Sequence, residues 1–222
     1  MSKAIIISGG TIEESFVLSV FKQELHPSDC IIGVDSGAKF LYDHQIMPTY
    51  LVGDFDSLPP DIITYYKTET NVVIREYNPV KDASDTEIAV RLAIRLGSEE
   101  LILLGATGNR IDHMWANIQI LTIAEHRGIP AYIMDARNRI RIISGETHIK
   151  KDGFGQFFSV FPFGGDVEQF TIEGARYPLH NHYLSPDDSL CVSNEILGDE
   201  VVITFTAGRV ILMETRDEAH DL

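Results

Sequence analysis

Between residues 4 and 134 the chain repeats one pattern, a short apolar run followed by a stretch of mixed polarity, and this pattern fixes the fold class more firmly than any single motif. The runs fall at 4–7, 30–34, 50–52, 72–74, 101–104 and 131–134. They are too short for buried helices and have no polar alternation, as expected of strands buried on both faces. Two of the intervening stretches read as helices. The first, 85–96, follows Ser84-x-x-Glu87, a capping-box pattern. It carries Ile88, Ala89, Leu92, Ala93 and Leu96 on one face and ends at Gly97. The second, 110–126, carries Ile111, Trp115, Ile118 and Leu121, all read as core, and is closed by Gly128-Ile129-Pro130. Strands alternating with helices imply a parallel α/β sheet.

Near residue 137 the helical period stops. Runs at 139–144, 156–161, 169–172, 190–193 and 201–206 read as strands separated by Gly, Pro and Asp clusters. Thr206-Ala207-Gly208-Arg209 reads as a hairpin turn into 210–214, and His180-Asn181-His182 as a surface loop. The expectation is an N-terminal α/β domain over 1–137 followed by an antiparallel β-sandwich or barrel over 138–222, with a polar tail from about Asp217.

Charge limits the partners. The net charge is −15, from 33 acidic and 18 basic residues, so the chain lacks the basic surplus that grips a nucleic-acid backbone. It also repels free anions, and a polyphosphate needs a metal or local donors to bind. The apolar run near Met1 is too short for a signal peptide or a membrane span. Cys30 and Cys191 stand far apart without ligand-like neighbours, which fits a reducing, cytoplasmic setting.

Four clusters sit just past the carboxyl ends of the early runs, where a parallel sheet places its ligands. They are Asp35-Ser36-Gly37, Gly53-Asp54-Phe55-Asp56-Ser57, Lys81-Asp82-Ala83-Ser84-Asp85-Thr86-Glu87 and the segment from Gly105 to His113. In an extended backbone Asp54 and Asp56 point the same way, with Phe55 opposite. Two converging carboxylates call for a hard cation such as Mg2+; the alternative is an ordinary acidic turn. Asp82 and Asp85 add further oxygen donors, although Asp85 also suits the first turn of a helix. The last cluster reads as a phosphate turn. Gly105 and Gly108 permit close approach and positive φ, Thr107 and Asn109 donate, and Arg110 forks onto phosphate oxygens. Its alternative is a plain turn in which Arg110 pairs with Asp112. His113 is either a nucleotide contact or an ordinary helix-start histidine. Walker A, Gly-x-Gly-x-x-Gly and Gly-x-Ser-x-Gly patterns are absent from the sequence.

As a set, these segments resemble the bacterial type of the thiamine pyrophosphokinase family. The match extends to Gly174-Ala-Arg-Tyr177-Pro178-Leu179 and Ser193-Asn194-Glu195, in the family's order. Ser84, Asn109 and Cys191-Val192 depart from its usual residues. The resemblance implies transfer of the β,γ-diphosphoryl unit of ATP, as co-substrate, to the hydroxyl of thiamine, giving AMP. It implies Mg2+ on Asp54, Asp56, Asp82 and Asp85. Nucleotide and phosphate would be held by Asp35, Ser36, Gly105, Thr107, Gly108, Asn109, Arg110 and His113, with Asp112 orienting Arg110 or touching nucleotide. Asp54, Asp82 and Arg110 would be catalytic, Asp54 and Asp82 also being candidates for the base. Tyr177, Leu179, Ser193 and Asn194 would contact thiamine. A homodimer with active sites between subunits is implied too, with neither nucleic acid nor membrane as partner. An Asp-nucleophile phosphatase, a sugar-nucleotide transferase and a non-catalytic nucleotide or thiamine sensor are the alternatives.

Overall fold

The central strand of the first unit, β1 (Lys3–Ile7), is buried along its whole apolar length. The computed structural model describes residues 2–77, 82–151 and 153–217, and divides into two units, Met1–Asp135 and Ala136–Leu222. Lys81 and the tail at 218–222 lie outside the described residues.

In the first unit β1 pairs in parallel with β2 (Cys30–Val34) on one side and β5 (Glu100–Leu104) on the other. β3 (Tyr50–Gly53) and β4 (Val73–Glu76) continue beyond β2, and β6 (Ala131–Met134) continues beyond β5, all in parallel. The order within this unit is thus 4-3-2-1-5-6. The chain walks outward from β1 to β4 and then returns to the other side of β1. The strand order reverses between β1 and β5, and such a switch point opens a crevice at the carboxyl ends of the strands.

Among the described residues five helices cross between these strands. α4 (Asp85–Arg95) and α5 (Ile111–Glu125) lie where the periodicity expects them. Ser84 Oγ accepts from the Glu87 N–H at 3.2 Å, and Gly97 takes φ +85° at the helix end. α1 (Glu14–Glu24), α2 (Gly37–Asp43) and α3 (Pro60–Glu69) were not legible from the apolar runs. α1 hides its Val17, Val20 and Phe21 stripe among charged neighbours and packs it on Ile5, Ile7, Ile102 and Leu104. α3 opens with Pro60, whose missing N–H costs nothing at that position, and packs Ile62 and Tyr66 on Leu51 and Phe55. Two expectations fail in this unit. Ile111 and Trp115 are not core but 72% and 47% exposed; the buried residues of α5 are Ile118, Ile120, Leu121 and Ala124, all in its later turns. β4 is an edge strand and leaves Val73 exposed, so its run is not buried on both faces.

The second unit is an antiparallel sandwich. One layer orders β7 (Asn138–Ile143), β14 (Val210–Thr215), β9 (Phe157–Pro162) and the two-residue β12 (Asn194–Glu195). The other orders β8 (Thr147–Lys150), β13 (Glu200–Thr204), β10 (Val167–Glu173) and β11 (Leu179–Leu184). Both layers contribute to one core, including Phe158 and Val160 from the first and Phe170, Ile172 and Ile203 from the second. Truncating either Phe158 or Phe170 to Ala would cost about 3–5 kcal/mol. Three strand-level expectations are corrected. Residues 190–193 are a turn, in which Ser193 adopts φ +54°; the strand begins at Asn194. Residues 206–209 do not form a hairpin. They pair with Glu168 at the start of β10 and carry the chain from one layer to the other. His180 and His182 lie in β11, where His182 is registered opposite Phe170.

Candidate functional site

The crevice at the switch point is walled by two backbones bonded to each other. Ser8 N–H donates to Leu104 O at 2.8 Å, Gly10 N–H to Gly105 O at 2.7 Å and Thr11 N–H to Thr107 O at 2.9 Å. The approach is so close that a Cβ on Gly10 would stand 2.2 Å from Thr107 O, which only glycine avoids. Gly105 and Gly108 take φ +63° and +152°, as the turn requires. From α5, Asn117 Nδ2 donates to Ala106 O at 2.8 Å and ties the second loop to the helix. The cleft between these walls and the start of α4 encloses roughly 520 Å3.

Of the residues expected here, Asp35, Ser36, Asp85, Gly105, Thr107, Gly108, Asn109, Arg110 and His113 line the cleft; Asp54, Asp56, Asp82 and Asp112 do not. The sequence places Ser57 and Thr86 in the clusters without giving them a role, and offers no reading of the wall from Ser8 to Thr11 or of Met114 and Asn117, all of which line the cleft. The signal for the wall was present: Gly9-Gly10 follows the first apolar run after a single residue, much as Gly105 directly follows the fifth.

Asp35 sits just past β2 at φ +45°, with its N–H on Val52 O at 3.1 Å. Left-handed backbone is uncommon outside glycine and concentrates at functional positions. The Asp35 carboxylate lies over Gly53, where an added Cβ would come within 1.8 Å of Oδ1. The extended geometry expected at 54–56 is not formed. Phe55 turns left-handed at φ +58°, so the chain bends, and the Asp56 N–H donates to Asp54 Oδ1 at 3.2 Å. Burial of Phe55 among Leu51, Leu58, Ile62 and Tyr66 drives the bend. Asp54 remains half-buried, while Asp56 and Asp82 are exposed.

Arg110 and Asp112 form a two-pronged pair at the mouth of the cleft, at 3.2 Å from Nε and 2.6 Å from Nη2. The hydrogen bonds from Arg110 hold the Asp112 carboxyl at about 2. The pairing read as an alternative from sequence is therefore formed, while Arg110 still lines the cleft.

Among the described residues, no three His, Cys, Asp or Glu side chains gather closely enough to hold a metal. Mg2+ does not demand such a cage: it keeps several waters and takes one or two carboxylates plus substrate phosphates. Asp54, Asp82 and Asp85 offer only hard oxygen donors at loops and a helix start on this edge, and that donor set fits the ion.

In the second unit Tyr177 is largely exposed and Leu179 partly so. Asn194, 2% exposed, is spent on Tyr177: Oδ1 accepts the Tyr177 N–H at 3.0 Å and Nδ2 donates to Tyr177 O at 2.8 Å. Arg176 stacks on the Tyr177 ring at 5.7 Å and bonds Glu195 at 2.7 Å. Ser193 anchors its left-handed turn through its N–H to Ser159 Oγ at 3.0 Å and is itself exposed.

Fold and cleft together define an α/β protein whose cleft lies at the carboxyl edge of its parallel sheet, the edge at which such sheets receive ligands. The catalytic-domain model of thiamin pyrophosphokinase matches residues 21–133, and the vitamin B1 binding domain model of the same enzyme matches 146–210. Thiamine pyrophosphokinase of Bacillus subtilis is 31% identical over 187 residues, covering 84% of this chain and 87% of that one. The crystal structure of thiamine pyrophosphokinase from Bacillus subtilis superposes with a TM-score of 0.86 at 28% identity, over 97% of this chain and 99% of that one. That of the Geobacillus thermodenitrificans protein gives 0.84 at 27%, over 98% and 99%. The chain belongs to the thiamin pyrophosphokinase family, an enzyme family whose reaction is ATP-dependent diphosphoryl transfer to thiamine.

Proposed function

We propose that the first unit binds Mg-ATP in the switch-point cleft and that the chain transfers the terminal diphosphoryl group to thiamine. The observation that carries this reading is the pair of glycine walls, already bonded to each other at the reversal of strand order, in a chain of this family. In the reaction the thiamine hydroxyl oxygen forms a bond to the β-phosphorus. The bond from that phosphorus to the bridging oxygen of the α-phosphate breaks, and AMP leaves with the electron pair. The hydroxyl proton passes to a base, for which Asp54 and Asp82 are the candidates.

The chain's part is positioning and charge management rather than covalent chemistry. Backbone groups at Gly105 and Gly108, with Thr107, Asn109 and Arg110, hold the phosphates. Asp35, Ser36 and His113 hold the nucleotide, and Asp112 orients the Arg110 fork. Asp54, Asp82 and Asp85, with Asp56 beside them, would hold Mg2+, which when bound neutralises phosphate charge that this acidic edge would otherwise repel. In the second unit Tyr177, Leu179 and Ser193 take thiamine, with Asn194 fixing Tyr177. The working form is a homodimer with active sites between subunits, in the cytoplasm. Among the described residues no helix is long and apolar enough to cross a membrane.

Purified protein with Mg2+ and ATP should release AMP only when thiamine is added. ADP as the sole nucleotide product, or AMP formation indifferent to thiamine, overturns the reading. Light scattering that finds single chains at assay concentration removes the dimer.

A further inference from the structure

At the floor of the cleft two hydroxyls meet that none of the roles above uses. Ser8, the first residue after β1, and Thr86, in the first turn of α4, are 3% and 8% exposed, and their oxygens stand 3.1 Å apart. Ser8 is fixed from behind, because its N–H extends the β1–β5 ladder onto Leu104 O. Thr86 follows Asp85 directly, and both line the cleft. The other buried residues of α4, Ala89, Val90, Leu92 and Ala93, are apolar. Apolar packing resists separation but tolerates sliding, whereas a hydrogen bond between short side chains fixes position along the helix axis. This pair is therefore a directional contact between the start of α4 and the end of β1.

We propose that the Ser8–Thr86 hydroxyl pair is a positioning element: it locks the first turn of α4, and Asp85 with it, to the end of the central strand, so that the carboxylate meets an incoming Mg-nucleotide. This rests on the reading that the cleft binds Mg-ATP. Neither residue need touch the substrate; both act through Asp85.

The test separates positioning from plain structural support. Thr86→Val keeps the shape and strands a buried Ser8 hydroxyl, so it should lower both Tm and affinity for a non-hydrolysable ATP analogue in Mg2+. The double variant Ser8→Ala/Thr86→Val removes both partners and leaves nothing unsatisfied, so its Tm should return towards wild type. Its affinity should not return: calorimetry should show Mg-analogue binding weakened by roughly fivefold or more, the factor expected for one lost hydrogen bond. Binding measured without Mg2+ should change little, and Thr86→Ser should restore both readouts. If the double variant binds the Mg-analogue as tightly as wild type, or Thr86→Val leaves affinity unchanged, the proposal fails while the reading of the cleft stands. If wild-type protein binds the analogue no better with Mg2+ than without, the cleft reading itself fails and the proposal with it.

Discussion

The two kinds of group at the ligand edge are held in opposite ways. The walls, Ser8–Thr11 and Gly105–Gly108, are backbone bonded to backbone and leave no room for a Cβ at Gly10. The carboxylates are side chains on two segments, Asp54 after β3 and, at the entry to α4, Asp82 before the helix and Asp85 in its first turn, with no three close enough to cage a metal among the described residues. The contrast suits the chemistry. Phosphate oxygens accept hydrogen bonds in a fixed pattern, and donors frozen beforehand cost no reorganisation when the ligand arrives. Carboxylates crowded together without a cation would repel one another, and in the function proposed above substrate and ion would complete the site together.

The carboxylate half of this contrast gives the largest expected effect. Asp82→Asn should lower kcat/KM by about 100- to 1,000-fold, or ~3–4 kcal/mol of transition-state stabilisation, on the scale of other electrostatic groups in active sites. Asp82 is exposed, so Tm should not move. Near-normal turnover in a folded variant would take Asp82 out of the ion's reach and leave the division of labour without its chemical half.

Gly10→Ala strikes the other half. The new methyl must displace the carbonyls of both Thr107 and Gly105, a rearrangement costing about 1–3 kcal/mol. Nucleotide affinity should fall by about ten- to a hundredfold and Tm by several degrees, because the wall belongs to the fold. A variant that loses stability but binds nucleotide normally would show that the walls are scaffold only.

These two halves were unequally legible. Buried strands announced themselves, since runs such as 4–7 and 101–104 have no polar alternation, and the capping box at Ser84 placed α4. The Gly105–Arg110 turn stood out through its concentration of glycine and donors. The facing wall did not, because Ser8-Gly9-Gly10-Thr11 carries no charge and earns its role only when the sheet sets β1 beside β5. Phe55 illustrates the other limit. Period-two alternation put Asp54 and Asp56 on one side, but burial of the ring outweighed local extension and bent the chain. Asn194 was read as a ligand contact from its place in a motif; tertiary contacts give its amide to the backbone of Tyr177.

Asn194 extends the comparison into the second unit, where a side chain does for Tyr177 what backbone pairing does for the walls. Asn194→Ala should raise KM for thiamine by about tenfold, as expected for one or two lost hydrogen bonds, with nucleotide affinity unchanged. Equal losses for both ligands would mean a general loosening of the chain instead.

The smallest effect is expected where the two kinds meet, at Arg110 and Asp112. This is a side-chain pair attached to the wall, and both partners are well exposed. The Asp112 carboxyl, held at about 2 by Arg110, lies below its ordinary value of 3.8. A depressed acid contributes fully above its unfolded pKa and loses that contribution as pH falls through the folded one. The pair is therefore intact above about pH 4 and opens only towards pH 2. Between pH 5 and 9 the KM for ATP should carry no titration from this pair, and Asp112→Asn should shift KM by no more than about threefold, since solvent screens exposed ion pairs. Added salt should shrink even that difference. A tenfold or larger change, persisting at high ionic strength, would mean that Asp112 contacts the nucleotide itself, and the wall would then include a carboxylate as one of its fixed parts.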